Sequence, residues 1–241
     1  MKKILILFFP LLLIAQVKRL HYIDHYNRPM TTYKEWLRQT RKEPFSIERA
    51  YHSQSNQTRQ GLVDVVVFAP LYPGIQDSLN IYLSDLESEG YTVQVDTIRG
   101  WAADSLRLHL STLLDSGLVG AVFIGEVPFA WYEMTSADGR EEFPIDLYLM
   151  DLDGTWTDSD GNGLFDGHSG NKAPEIWTGR IYASSMTWGN EVYLVNNYLS
   201  KLHRYRTGGY NIPQKALAYV DDDWYSFYDC SLGLLYDTVD V

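Results

Sequence analysis

The amino-acid sequence predicts an α/β fold, a doubly wound and mostly parallel sheet with helices on both of its faces. Three observations lead there. Val63 to Pro70 is a β-branched run without clear alternation, as expected of a strand covered on both sides. Segments with the period of a strand then alternate with segments of helical period, the pattern of βαβ units. Gly90 and Gly117 stand where the first two helical patterns stop, as helix-terminating glycines do.

Residues 1–15 read as a secretory signal peptide: Lys2 and Lys3 precede an apolar run from Ile4 to Ile14 and the small residue Ala15. That run is about half the roughly 20 residues needed to span a bilayer. Residues 16–60 are polar and aromatic, with Pro29, Pro44 and a Ser/Gln/Asn/Thr-rich stretch from Ser53 to Gln60. They read as an N-terminal extension or pro-segment, whose amphipathic patch at Tyr33 to Leu37 is suited to dock on the main domain.

The α/β domain occupies residues 61–241. Its first strand is Val63 to Pro70, and Ile75, Leu79, Leu83 and Leu86 then mark a helix. Tyr91 to Ile98 alternates as a second strand, Leu106, Leu110, Leu113 and Leu114 mark a second helix, and Leu118 to Gly125 is a third strand. An irregular stretch leads to a strand at Ile176 to Ala183. A helix bearing Val192, Val195, Leu199 and Leu202 follows, then a strand at Ala216 to Val220 and a further helical pattern toward Val241. Strands joined by helices of this length are wound by right-handed crossovers. A sheet still being wound at that point predicts a domain truncated at its C-terminus.

Composition narrows the function. With 20 basic against 31 acidic side chains the net charge is −11, which makes nucleic acid and anionic lipid poor partners and leads us to expect no nucleic-acid binding. No segment after the leader is long and apolar enough to cross a membrane, so the expected location is secreted, cell-surface or periplasmic. Cys230 is the single cysteine, which leaves no intrachain disulfide to stabilise an exported chain. Packing or a bound metal must serve instead, and the abundance of carboxylates points to calcium.

The segment 151–171, DLDGTWTDSDGNGLFDGHSGN, is the candidate metal loop. No lysine or arginine lies between Arg140 and Lys172 to offset its aspartates. With Asp158 as position 1 of an EF-hand-type loop, Asp160 falls at 3, Asn162 at 5, Gly163 at the turn, the Leu164 carbonyl at 7 and Asp166 at 9. Ser169 replaces the usual glutamate at position 12, and Asp151 and Asp153 just upstream are candidates for the missing carboxylates. The plainer reading is a solvated turn, since Asp, Asn and Gly are common turn residues. Magnesium fits less well, because a long flexible carboxylate loop seldom meets its octahedral demand.

Val122 to Pro128 (a strand ending in Gly-Glu-Val-Pro), Asp146 to Tyr148, Asp151 to Gly154 and Pro174 to Ile181 follow one another in an order that resembles the gingipain-type peptidases, caspase-like cysteine proteases of exported bacterial proteins. The resemblance covers Val63 to Tyr225. It implies a caspase-like fold and a thiol peptidase whose histidine lies in a His-Gly turn, with the cysteine after a later strand. Neither motif occurs in these 241 residues. The expectation is therefore the N-terminal portion of a secreted gingipain-like endopeptidase acting on protein or peptide substrates, with its Cys/His dyad beyond this chain. The alternative is a non-catalytic, calcium-stabilised extracellular binding or surface module. A nucleotide-binding reading fails for want of a glycine-rich loop after the first strand.

Remaining candidates read as structural. Cys230 sits among Tyr228, Leu232 and Leu234 and resembles a buried small hydrophobe more than a nucleophile paired with His168. His109 and His203 fall within helical patterns as packing or surface residues. Arg180, in a core strand, must find a partner, and an ion pair that pins the metal segment to the sheet is expected. Asp221, Asp222 and Asp223 follow a strand end, where α/β sheets place binding loops, and otherwise form a solvated acidic turn.

Overall fold

The computed structural model describes residues 32–40, 43–53, 60–136, 139–210, 213, 215–217 and 238–240, with backbone only at 217 and 238–240. Its core is one five-stranded sheet in the order β1-β3-β2-β4-β9, built from β1 (Ser46–His52), β2 (Leu62–Phe68), β3 (Thr92–Arg99), β4 (Leu118–Ile124) and β9 (Trp177–Ile181). Strands β2, β3, β4 and β9 run parallel, while β1 pairs antiparallel with β3. The chain winds from β2 to β3 on one side and then returns to β4 on the other. That reversal is the point at which open α/β sheets form a crevice beyond their strand ends.

Burial on both faces explains why every residue of β2 except Asp64 is apolar. Its Val63, Val65 and Val67 meet Ile75, Leu79 and Leu83 of α2 (Tyr72–Ser88) and Val195 and Leu199 of α5 (Glu191–Arg206). On the opposite face Leu62 and Val66 pack with Leu106 and Leu110 of α3 (Ala103–Leu113) and Leu149 of α4 (Leu147–Met150). Each such side chain stabilises the fold by about 1.5–3 kcal/mol when fully buried. Helix α2 opens with a proline in its first turn, and the chain leaves it through Gly90 at a positive φ of 97°. Asn190 caps α5, and its last turn carries His203, Arg204 and Arg206 against the negative end of the helix dipole.

Three features differ from the pattern legible in the sequence. The segment before residue 61 contributes the edge strand β1 to the sheet, which its sequence did not announce, while α1 (Tyr33–Gln39), the patch expected to dock, lies against Trp101, Phe129 and Trp131 through Trp36. The stretch read as irregular contains a hairpin of β5 (Ala130–Ser136) and β6 (Gly139–Ile145), followed by the small ribbon of β7 (Thr155–Thr157) and β8 (Gly167–Ser169). Finally, β10 (Lys215–Leu217) pairs in parallel with β11 (Thr238–Asp240) in a two-stranded sheet of its own, while the rest of the expected strand at Ala216 to Val220 and most of the helical pattern toward Val241 lie outside the described residues.

Candidate functional site

Three of the motif stretches meet at the C-terminal ends of β4 and β9, and the fourth joins at the start of β9 through Glu175. Arg180 on β9 donates from Nε and Nη2 to the two carboxylate oxygens of Asp146, each at 2.6 Å. Its Nη1 reaches the Val127 carbonyl at 2.7 Å and its Nη2 the Pro128 carbonyl at 2.6 Å. One guanidinium thus ties the Gly-Glu-Val-Pro turn, the start of the acidic segment and the Gly-Arg-Ile strand together, in the bidentate geometry that arginine alone offers. Gly125 makes the turn possible: its φ is +82° and a Cβ there would press on Phe68. We expect Arg180→Ala to lower unfolding free energy by about 2 kcal/mol, since a carboxylate and two carbonyls lose a charged partner. Urea denaturation checks this, and Arg180→Lys should recover less than half of the loss.

Downstream, Asp151 is completely buried. One of its oxygens accepts from the Gly154 backbone N–H at 2.8 Å and the other lies 2.5 Å from His168 Nε2. Arg107 donates to the Asp151 and Gly154 carbonyls and lies over the Tyr148 ring, fixing the turn from the α3 side. A Cβ at position 154 would collide with both Asp151 and His168, so the glycine of Asp-Leu-Asp-Gly is dictated by this approach. Glu175 closes the turn from across the chain, its Oε2 accepting from Leu152 N at 2.6 Å and Asp153 N at 3.4 Å. Carboxylate oxygens of Asp151, Asp153 and Glu175 lie within 4.8 Å of one another, a separation that a calcium ion with ligands at about 2.3–2.6 Å can bridge.

The other predicted ligands behave differently. Asp158 accepts from the N–H groups of Gly161, Asn162 and Gly163, which holds its carboxyl below the usual range. Asp166 accepts from Ser159, Asn162 turns its amide to Glu133 and accepts from Leu164 N, and the Leu164 side chain is buried. Asp158, Asp160 and Asp166 form no three-ligand cluster among the described residues. The seven predicted ligands thus divide, with Asp151 and Asp153 joined by Glu175 and the remaining five in a loop closed by its own backbone.

The sequence reading missed Glu175, His168 as the partner of Asp151, and a second buried group. Asp64 of β2 and Asp96 of β3 both face His109 of α3, at 3.0 and 2.9 Å from Nε2. Gln94 and Arg49 also donate to Asp96. The available signal was an aspartate inside an otherwise apolar strand, since a buried carboxylate requires a partner. Cys230 and Asp221 to Asp223 lie outside the described residues. Searches against protein-family models, curated proteins and solved structures find no match to this chain.

Proposed function

We propose that this chain is the metal-bearing N-terminal portion of an exported, gingipain-like cysteine endopeptidase that cleaves proteins or peptides, with the Cys/His dyad beyond this chain. The observation behind this reading is the convergence of the resembling motifs: Gly-Glu-Val-Pro, Asp146 and Gly-Arg-Ile share the guanidinium of Arg180, and Asp-Leu-Asp-Gly is bound by Glu175 of the same Pro174 to Ile181 stretch. Residues that resemble a family's motifs in sequence, yet serve unrelated local roles, would be scattered over the fold. The metal in this reading is calcium, held by Asp151, Asp153 and Glu175, because an all-oxygen carboxylate set suits a hard cation.

The alternative, a non-catalytic calcium-stabilised module, draws on His168, whose Nε2 is engaged by Asp151. Two measurements separate the readings. Sequencing across the codon for Val241 is expected to reveal an open frame with a His-Gly turn and a later cysteine, whereas a stop codon favours the module. The mature chain, in calcium, is expected to cleave no casein and to leave Cys230 unmodified by a peptidyl chloromethyl ketone. Cleavage lost in both Cys230→Ala and His168→Ala would mean that the dyad is within these residues.

A further inference from the structure

The sheet face beneath α3 carries a polar patch inside an apolar core. Alternation along β2 puts Leu62, Asp64 and Val66 on one face, and Leu62 and Val66 pack with Leu106 and Leu110 of α3. Asp64 therefore meets the helix from within the core, and it is buried there together with Gln94 and Asp96 of the neighbouring β3. Opposite them stands His109, the third potential metal ligand of the group.

Three carboxylate oxygens compete in this patch for one hydrogen. His109 Nε2 lies 3.0 Å from Asp64 Oδ2 and 2.9 Å from Asp96 Oδ2, while Asp64 Oδ1 has no hydrogen-bond partner among the described residues. A ring nitrogen bears a single N–H, so it cannot serve two carboxylates fully, and it leaves the third oxygen unserved. Such an acceptor is costly in a core. Asp96 is better provided for, since Arg49 Nε donates to its Oδ1 at 2.6 Å and Gln94 Nε2 to its Oδ2 at 2.8 Å.

A divalent ion would satisfy all of these oxygens at once. Zinc takes imidazole nitrogen and carboxylate oxygen at about 2.0–2.2 Å, so that two of its ligands stand about 3.0–3.4 Å apart. The separations of 2.9 and 3.0 Å need almost no widening to reach that range. Both oxygens of Asp64, Oδ2 of Asp96 and Nε2 of His109 supply the four donor atoms of a closed zinc site. Calcium suits the patch less well, because it takes about six to eight oxygens and seldom a nitrogen. Arg49 and Gln94 provide the outer hydrogen bonds that orient a ligating carboxylate. The His109 side chain remains 16% exposed, which gives an ion its way in.

We propose that Asp64, Asp96 and His109 form a structural zinc site that fastens α3 to the sheet. Without the ion, the hydrogen on Nε2 is what holds the two carboxylates together. Zinc displaces that proton to solvent, and His109 ligates through the freed nitrogen. The site is separate from the cluster of Asp151, Asp153 and Glu175, and it stands whether or not the chain belongs to a peptidase.

Isothermal titration with zinc chloride tests the assignment, using a chain of residues 16–241 stripped of metal and then held in saturating calcium. One ion is expected to bind per chain. Asp64→Asn should lower zinc affinity by at least about 100-fold, since losing a ligand costs no less than the roughly 10–100-fold of an outer-shell partner. Asp153→Ala should leave it unchanged. Crystals of the native chain grown with zinc give a reading that no variant's folding can confuse: anomalous density is expected between His109 Nε2 and the two aspartates. No zinc binding, unchanged affinity in a folded Asp64→Asn, loss of binding in Asp153→Ala, or anomalous density confined to other residues would each overturn the proposal.

Discussion

Calcium in excess is expected to raise the thermal midpoint of a chain spanning residues 16–241 by roughly 5–10 °C over the value in chelator, and Asp153→Ala to abolish that rise. Without a cation, Asp151, Asp153 and Glu175 present carboxylates to one another within 4.8 Å, with His168 and the Gly154 N–H set against the buried member. A ligand at about 100 times its dissociation constant adds about 2.7 kcal/mol to stability. In a domain of this size each kcal/mol moves the midpoint by roughly 2–4 °C. Glu175→Gln should reduce the rise while keeping much of the turn, because an amide oxygen can still accept from the Leu152 and Asp153 N–H groups. Asp160→Ala is the control, and in it the rise should persist. Loss in Asp160→Ala with retention in Asp153→Ala would move the ion to the Asp158 to Asp166 loop. Equal midpoints in calcium and chelator would leave no calcium centre at all.

Replacing His109 should be costlier still. Burial opposes charge on its ring, but hydrogen bonds to Asp64 and Asp96 and their negative charges outweigh burial and push its pKa up to about 9. Asp64 and Asp96 are almost wholly inaccessible, and Oδ1 of Asp64 has no hydrogen-bond partner while Oδ2 faces His109. His109→Leu then leaves two buried carboxylates facing each other across β2 and β3, and breaking a buried pair in this way costs about 3–5 kcal/mol. The pH dependence has a definite sign. A raised histidine pKa gives stability that is complete below 6.5, its ordinary value, and lost as pH rises through about 9. Urea melts of the native chain should therefore weaken across that window. In His109→Gln the baseline is lower and the histidine-dependent part of that slope disappears; parallel curves for the two proteins would show that the ring is not the titrating group.

Much of the fold was legible because its causes are local. The runs at Val63 and Leu118 and the spacing of Ile75, Leu79 and Leu83 follow directly from burial on two faces of a sheet and one face of a helix. Arg180 was legible for a related reason, as a charge in a core strand obliged to find an acid. Glu175 was not, because its partners are backbone N–H groups more than twenty residues earlier in the chain, and such acceptors leave no mark on composition. The Asp158 to Asp166 spacing matches a ligand loop, yet the same side chains also satisfy the N–H groups of a tight turn, so spacing alone does not distinguish the two roles. The hairpin of β5 and β6 was hidden by its exposed, charged second strand, Gly-Arg-Glu-Glu-Phe-Pro-Ile, whose pattern is not that of a buried strand.

The edge strand β1 makes the early part of the chain a structural donor. It forms its ladder with β3 from Ser46 to His52, continues it through Ser53, and brings Arg49 to Asp96 at 2.6 Å. A peptidase that trims the N-terminus therefore leaves a stable product only if it stops before Ser46. A cut between β1 and β2 yields a nicked protein, not a shortened one, because the strand stays bound by its ladder and by Arg49. Stripped away, it would uncover both the open edge of β3 and a buried carboxylate. A synthetic peptide spanning 43–53 should then act as a ligand for a chain that begins at Gln60, restoring the sheet by fragment complementation with Arg49 as its anchor.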